Sequence, residues 1–152
     1  MSDVITQAAQ GDINAFAEAY KGVYKKMYCG AYYTLATEQE AVEAVKTAAD
    51  KTFAEMSACK NEKDFETLFL KKLSEQIIKG YRGYKSTPPN NSGGVTYIKG
   101  LMRRLTDAER LAVAFNALFD LSPKEISKIT GLAEDVVEKK LESGKKKLIP
   151  RL

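Results

Sequence analysis

The chain has 152 residues, enough for one ordinary domain or two small ones, and its 44% hydrophobic and 29% charged residues describe a globular protein rather than a disordered one. Histidine is absent, and Cys29 and Cys59 stand far apart without metal or redox spacing; no metal site is expected, and both cysteines are read as plain buried thiols. The net charge of +4 is unevenly placed: residues 1–98 carry 12 basic and 12 acidic side chains, whereas residues 99–152 carry 12 and 8. A basic last third suits nucleic acid, although a lysine-rich solvated helix end would look the same. The first residues lack a basic segment followed by an apolar core, and no apolar run approaches the ~20 residues of a membrane span. The expectation is a soluble, cytoplasmic protein with no membrane contact.

In chain order, the first long helix starts near Asp12, a residue that can cap it. Along it Ile13, Phe16, Tyr20, Val23, Tyr24, Met27, Tyr28, Ala31 and Tyr32 recur at helical spacing. The tyrosines at 20, 24, 28 and 32 form a stripe. It is read as a core edge whose hydroxyls reach water, with a stacking platform as the alternative. A second helix begins after Thr37, with Glu40 completing a capping box, and its apolar face is Ala41, Ala44, Val45, Ala48, Ala49 and Phe53. A third runs from about residue 63 to 82, with Phe65, Leu68, Phe69, Leu73, Ile77 and Tyr81 inward. Residues 86–94 are turn formers throughout, with paired prolines and paired glycines, and mark a linker. A short helix is expected over 95–104. Thr106 and Glu109 then cap a helix carrying Leu111, Val113, Ala114, Ala117 and Leu118. Ser122, Pro123 and Glu125 open another, which ends at Gly131, and a last helix runs from about Ala133 to Leu148.

The stretch from Pro123 to Leu141 has the pattern of a helix-turn-helix. Ile126 and Ile129 point inward, Ser127 is small enough for close helix approach, and Gly131 takes a left-handed turn. Leu132, Val136, Val137 and Leu141 hold the second helix down. A short helix, a glycine turn and a second helix with polar residues outward fit major-groove reading. A plain helical hairpin is the alternative. The second helix opens on acids, Glu134, Asp135 and Glu138, and its cations come later.

This layout resembles a bacterial RNA polymerase sigma factor of the extracytoplasmic-function type. The opening resemblance lies in Ala9-Gln10-Gly11-Asp12-Ile13-Asn14-Ala15-Phe16-Ala17-Glu18-Ala19-Tyr20. The closing and more specific one lies in Leu105-Thr106-Asp107-Ala108-Glu109-Arg110, in the run from Leu121 to Leu132, and in Lys145-Lys146-Lys147-Leu148. It implies an all-α protein of two small domains. Residues 1–85 would be a three-helix region 2-like domain that grips polymerase and opens the nearer promoter element. Residues 86–94 would be the linker, and 95–152 a four-helix region 4-like domain whose helix-turn-helix reads the more distant element. The resemblance implies no catalysis and no cofactor.

The polymerase-gripping positions of the second helix correspond to Glu43, Lys46, Thr47 and Ala49, of which only the first keeps the family's acid. In the third helix Glu75 stands for an arginine and Gly80 for an aspartate. Candidate contacts to the nearer element are Lys72, Gln76, Lys79, Tyr81 and Arg82, where cations interleave with aromatics suited to stacking melted bases, with an ordinary frayed helix end leading into the linker as the alternative. Those to the distant element are Lys124, Lys128, Lys139, Lys140, Lys145 and Lys146. The expected partners are core RNA polymerase and promoter DNA, with an anti-sigma factor as a further candidate and no small-molecule substrate. A DNA-binding regulator or a protein-interaction module that kept the architecture but not the polymerase grip is the alternative. An enzyme is not expected: no histidine, glycine-rich phosphate loop, activated nucleophile or carboxylate motif is present.

Overall fold

The computed structural model describes residues 2–35, 37–81, 102 and 104–148. Every regular element among them is helical: α1 (Ser2–Ala9), α2 (Ile13–Thr34), α3 (Glu38–Ala54), a 3-10 turn (Met56–Ala58), α4 (Glu62–Tyr81), α5 (Asp107–Phe119), α6 (Pro123–Thr130) and α7 (Glu134–Leu148). The expected linker lies outside the described residues, as does the expected helix over 95–104 apart from Met102, which is helical and buried, and Arg104.

The helix starts follow the capping chemistry. The Asp12 carboxylate accepts from the backbone N–H groups of Asn14 and Ala15, and the Thr37 hydroxyl accepts from that of Glu40. Glu40 then bonds the Thr37 hydroxyl rather than its backbone, so this box closes differently from the pattern expected. The boxes at Thr106–Glu109 and Ser122–Glu125 are complete, with Pro123 at the first turn of α6. α1 adds a helix to the three long ones expected before the linker. Its eight residues are too short for a clear period, but Ile5 and Ala8 are fully buried against α2 and its neighbours.

In the first half, α2, α3 and α4 pack around Phe16, Phe65, Phe69, Leu73 and Ile77. The alanines of α3 at 41, 44, 48 and 49 let its backbone come close to its neighbours. Buried Thr34 and Thr52 satisfy their hydroxyls by donating to carbonyls one turn back, Gly30 and Ala48. The tyrosine stripe forms a ring ladder from Phe16 to Tyr32, with Tyr20 stacked on Phe69 at 5.8 Å. Tyr20, Tyr28 and Tyr32 are half-buried, as a core edge requires, whereas Tyr24 is 40% exposed. Burial raises the pKa of Tyr20, helped by the neighbouring Tyr24 and Asp50, so the phenol stays protonated. Ile13, expected inward, is 62% exposed at the first position of α2.

α5 is the central beam of the second half. It packs on α2, α6 and α7, which is why the unbroken run from Glu109 to Phe115 is buried, while Ala117 faces solvent against expectation. Among the described residues the two halves meet at several points. The Phe119 ring seats on Gly30, where a Cβ would come within 2.6 Å of it. The Ser74 hydroxyl lies 3.4 Å from the Ile129 carbonyl, linking α4 to α6. Arg110, 1% exposed, donates from Nε to the Thr34 carbonyl at the end of α2, from Nη1 to the carbonyls of Met102 and Leu105, and from Nη2 to Asp107. A cation at a helix C-terminus meets the negative end of its dipole, so this buried guanidinium is matched by oxygen at each of its nitrogens.

Candidate nucleic-acid interface

The helix-turn-helix forms as its residues require. Ile126 and Ile129 are buried, Leu132 packs on the core, and Val137 and Leu141 seat α7. Gly131 caps α6 at φ 83°, a left-handed conformation that favours glycine, and its N–H donates to the Ser127 carbonyl. The Ser127 hydroxyl donates to the Leu132 carbonyl at 2.6 Å, so the small residue both admits the second helix and ties down the turn. At the other end of α7, Gly144 lies so close to Val113 that a Cβ would meet its methyl at 2.7 Å.

That close approach brings together groups that no local pattern pairs. Glu109, 3% exposed, accepts from the Ser143 hydroxyl at 2.6 Å and from Lys147 Nζ at 2.7 Å, besides the Thr106 backbone N–H. Burial alone would raise its pKa, but the bonds from Lys147, Ser143 and Thr106 prevail and lower it to about 2. Lys147 is thereby committed to holding α7 on α5, although the sequence presents it as one of three equivalent lysines.

The free face of α7, opposite Val137, Leu141 and Gly144, carries Asp135, Lys139, Glu142 and Lys146 at helical spacing, all exposed. Two cations alternate with two acids there, and Lys146 pairs with Glu142 at 3.2 Å. Exposed Lys145 and half-buried Lys140 lie on opposite flanks of that face. Glu134, Asp135 and Glu138 are all exposed in the opening turns, favourable to the helix dipole but repulsive to phosphate. Of the cations on α6, Lys124 is exposed, while Lys128 lines a cleft of about 380 Å³ against α4 with Lys63, Glu66, Thr67 and Leu70. The interface thus offers its positive charge from the middle of α7 onward rather than at its leading end.

The first half presents a different grouping from the one the sequence suggests. Gln76 and Lys79 of α4 line a cleft of about 630 Å³ together with Glu43 and Thr47 of α3. Residues assigned to promoter and to polymerase therefore share one site. The Gln76 amide nitrogen is buried there with no hydrogen-bond partner among the described residues. Lys72 is not free: Glu55 at the end of α3 holds its ammonium, which is 13% exposed, and this bond raises its pKa. Glu43 and Lys46 are exposed, but Ala49 is buried on the other side of α3 and so belongs to the core. Tyr81 is described only as the last residue of α4, and Arg82 lies outside the described residues. Cys59 is buried, which raises its thiol pKa, whereas Cys29 is half-buried. No group of three or more metal-ligating side chains occurs among the described residues, and none of the described helices is long and apolar enough to cross a membrane.

Residues 96–148 match the family model described as Sigma-70, region 4. The matched stretch contains α5, α6 and α7, so the C-terminal part of the chain is similar to a sigma region 4 domain, and the helix-turn-helix lies within the match. The match supports a sigma factor, and the extracytoplasmic-function subtype is consistent with this domain. No curated protein matches the chain.

Proposed function

We propose that this protein is a sigma-like transcription initiation factor, acting in the cytoplasm without catalysis, that binds core RNA polymerase and directs it to promoter DNA. The observation that carries this reading is the region 4 domain itself, a tightly closed helix-turn-helix with α7 held open to solvent along one face. In this reading residues 95–152 take the distant promoter element and residues 1–85 take polymerase and the nearer element, with 86–94 joining them. Lys139 and Lys146, flanked by Lys140 and Lys145, supply phosphate contacts, and Lys124 extends the positive surface onto α6. The α3–α4 cleft, with Glu43, Thr47, Gln76 and Lys79, is the counterpart surface of the first half, and exposed Lys46 stands near it. An anti-sigma protein is a partner compatible with this architecture. The test is gel filtration of the chain with core polymerase, followed by transcription from a promoter library; co-elution and selective initiation are expected.

A second reading, a DNA-binding regulator or protein-interaction module without polymerase grip, is favoured by one observation. Lys46, Thr47 and Ala49 stand where the resembled family has glutamine, glutamate and phenylalanine. It predicts duplex binding without core binding.

A further inference from the structure

On the side of the first half formed by α1, α2 and α4 lies a groove of about 450 Å³, separate from the helix-turn-helix and from the α3–α4 cleft. Its floor is apolar: half-buried Val4 from α1 and Ala19 and Val23 from α2, laid over the buried Ile5 and Phe65. Its rim is acidic, with Glu18 on α2 and Glu62 and Glu66 on α4. Lys26 neutralises one of these by pairing with Glu66 at 2.8 Å; Glu18 and Glu62 are exposed. In the middle of the α2 wall stands Gly22, and a Cβ there would meet nothing within 4 Å. A glycine inside a helix weakens it relative to alanine, and unlike Gly30 this one relieves no crowding within the chain. It has ordinary helical φ, so no turn requires it either.

We infer that this groove is a docking surface for a basic amphipathic helix of a partner protein. The apolar floor would take the partner's apolar stripe. Gly22 would let the two helix backbones approach closely, and Glu18 and Glu62 would pair with lysines or arginines flanking the stripe. Charge complementarity selects the occupant. The chain as a whole is +4, so its long-range field favours acidic ligands, and only the local field of this rim favours basic ones. The inference does not depend on the promoter-reading role, because none of the groove residues is itself a candidate contact to DNA or polymerase, although Glu66 also borders the cleft of Lys128.

The test uses the full chain and two labelled helical peptides, one of leucine, alanine and lysine and the other with glutamate in place of lysine, followed by fluorescence anisotropy. The lysine peptide is expected to bind better, with affinity falling as salt rises. Gly22→Leu is expected to weaken it about tenfold or more by filling the approach, and Glu18→Lys with Glu62→Lys to abolish the preference. Gly22→Ala serves as the folding control and should raise the thermal midpoint, since only helix propensity changes there. The inference is overturned if the glutamate peptide binds as well, if neither binds, or if Gly22→Leu leaves binding unchanged in a folded chain. It is overturned equally if sedimentation shows self-association that Gly22→Leu removes, for the occupant is then a second copy of this chain. Duplex binding by Gly22→Leu, which changes no charge, should remain at wild-type level, which separates failure here from failure of the promoter-reading role.

Discussion

Replacing Gly30 by alanine sets two effects of known sign against each other. In an isolated helix the change gains about 1 kcal/mol from propensity. Here the new methyl would lie 2.6–2.7 Å from the Phe119 ring, inside van der Waals range. The ring has little room to retreat: Phe119 is 5% exposed, Phe115 stands edge-on at 5.2 Å, and the Lys26 ammonium sits 5.7 Å from its centroid. Overpacking of this kind costs about 1–3 kcal/mol, so the net effect is a loss of up to about 2 kcal/mol, or a few degrees in the thermal midpoint. Phe119→Leu in the same background should recover part of the loss, giving a favourable interaction energy above about 0.5 kcal/mol in a double-mutant cycle. The assay is thermal and urea unfolding of the four proteins, with Gly22→Ala as a helix-propensity reference. If Gly30→Ala stabilises as much as Gly22→Ala does, Phe119 is not seated on α2, and the docking of the helix-turn-helix half on the first half is refuted.

Arg110→Met should cost about 3 kcal/mol or more in urea unfolding, because the carbonyls of Thr34, Met102 and Leu105 lose a shared buried donor; a loss under about 1 kcal/mol would contradict the buried network. Glu109 has its folded pKa lowered from 4.5 to about 2, so it stabilises the fold fully above pH 4.5, and that contribution fades as pH falls toward 2. Glu109→Gln should therefore be less stable at neutral pH by about 1–3 kcal/mol, with the gap closing as acid is added; a gap independent of pH would count against the Lys147 and Ser143 bonds. Lys139→Glu and Lys146→Glu should each weaken duplex binding and make its salt dependence shallower, by about 1 in the log–log slope for each phosphate no longer neutralised, whereas Glu134→Gln with Asp135→Asn should strengthen binding. Unchanged affinity in all of them would remove α7 from the interface.

What the sequence disclosed and what it concealed divide along chain distance. The complete boxes at Thr106–Glu109 and Ser122–Glu125, the turn at Gly131 and the inward Ile126, Ile129, Val137 and Leu141 all rest on partners a few residues away, so type and spacing reveal them. Arg110, Glu109 and Gly30 each find their decisive partner across at least 34 residues of chain, and nothing in their spacing identifies Thr34, Lys147 or Phe119. The same limit explains Lys72, which reads as a free cation until the fold brings Glu55 beside it. Periodicity also overstates burial: Ile13 is exposed at the first position of α2, and Ala117 is exposed although Phe119, two residues further along α5, is buried. The shared cleft of Glu43, Thr47, Gln76 and Lys79 exists only because α3 and α4 lie side by side, so sequence order assigns its walls to separate tasks.

The central claim is that this region 4 domain serves an initiation factor. Immobilised core RNA polymerase, challenged with the full chain at low salt, tests it most directly. Retention of the chain, weakened by charge reversal at Glu43 or Lys46, is the predicted result. A chain that binds duplex DNA yet passes core polymerase unretained would contradict the account and leave the regulator reading in its place.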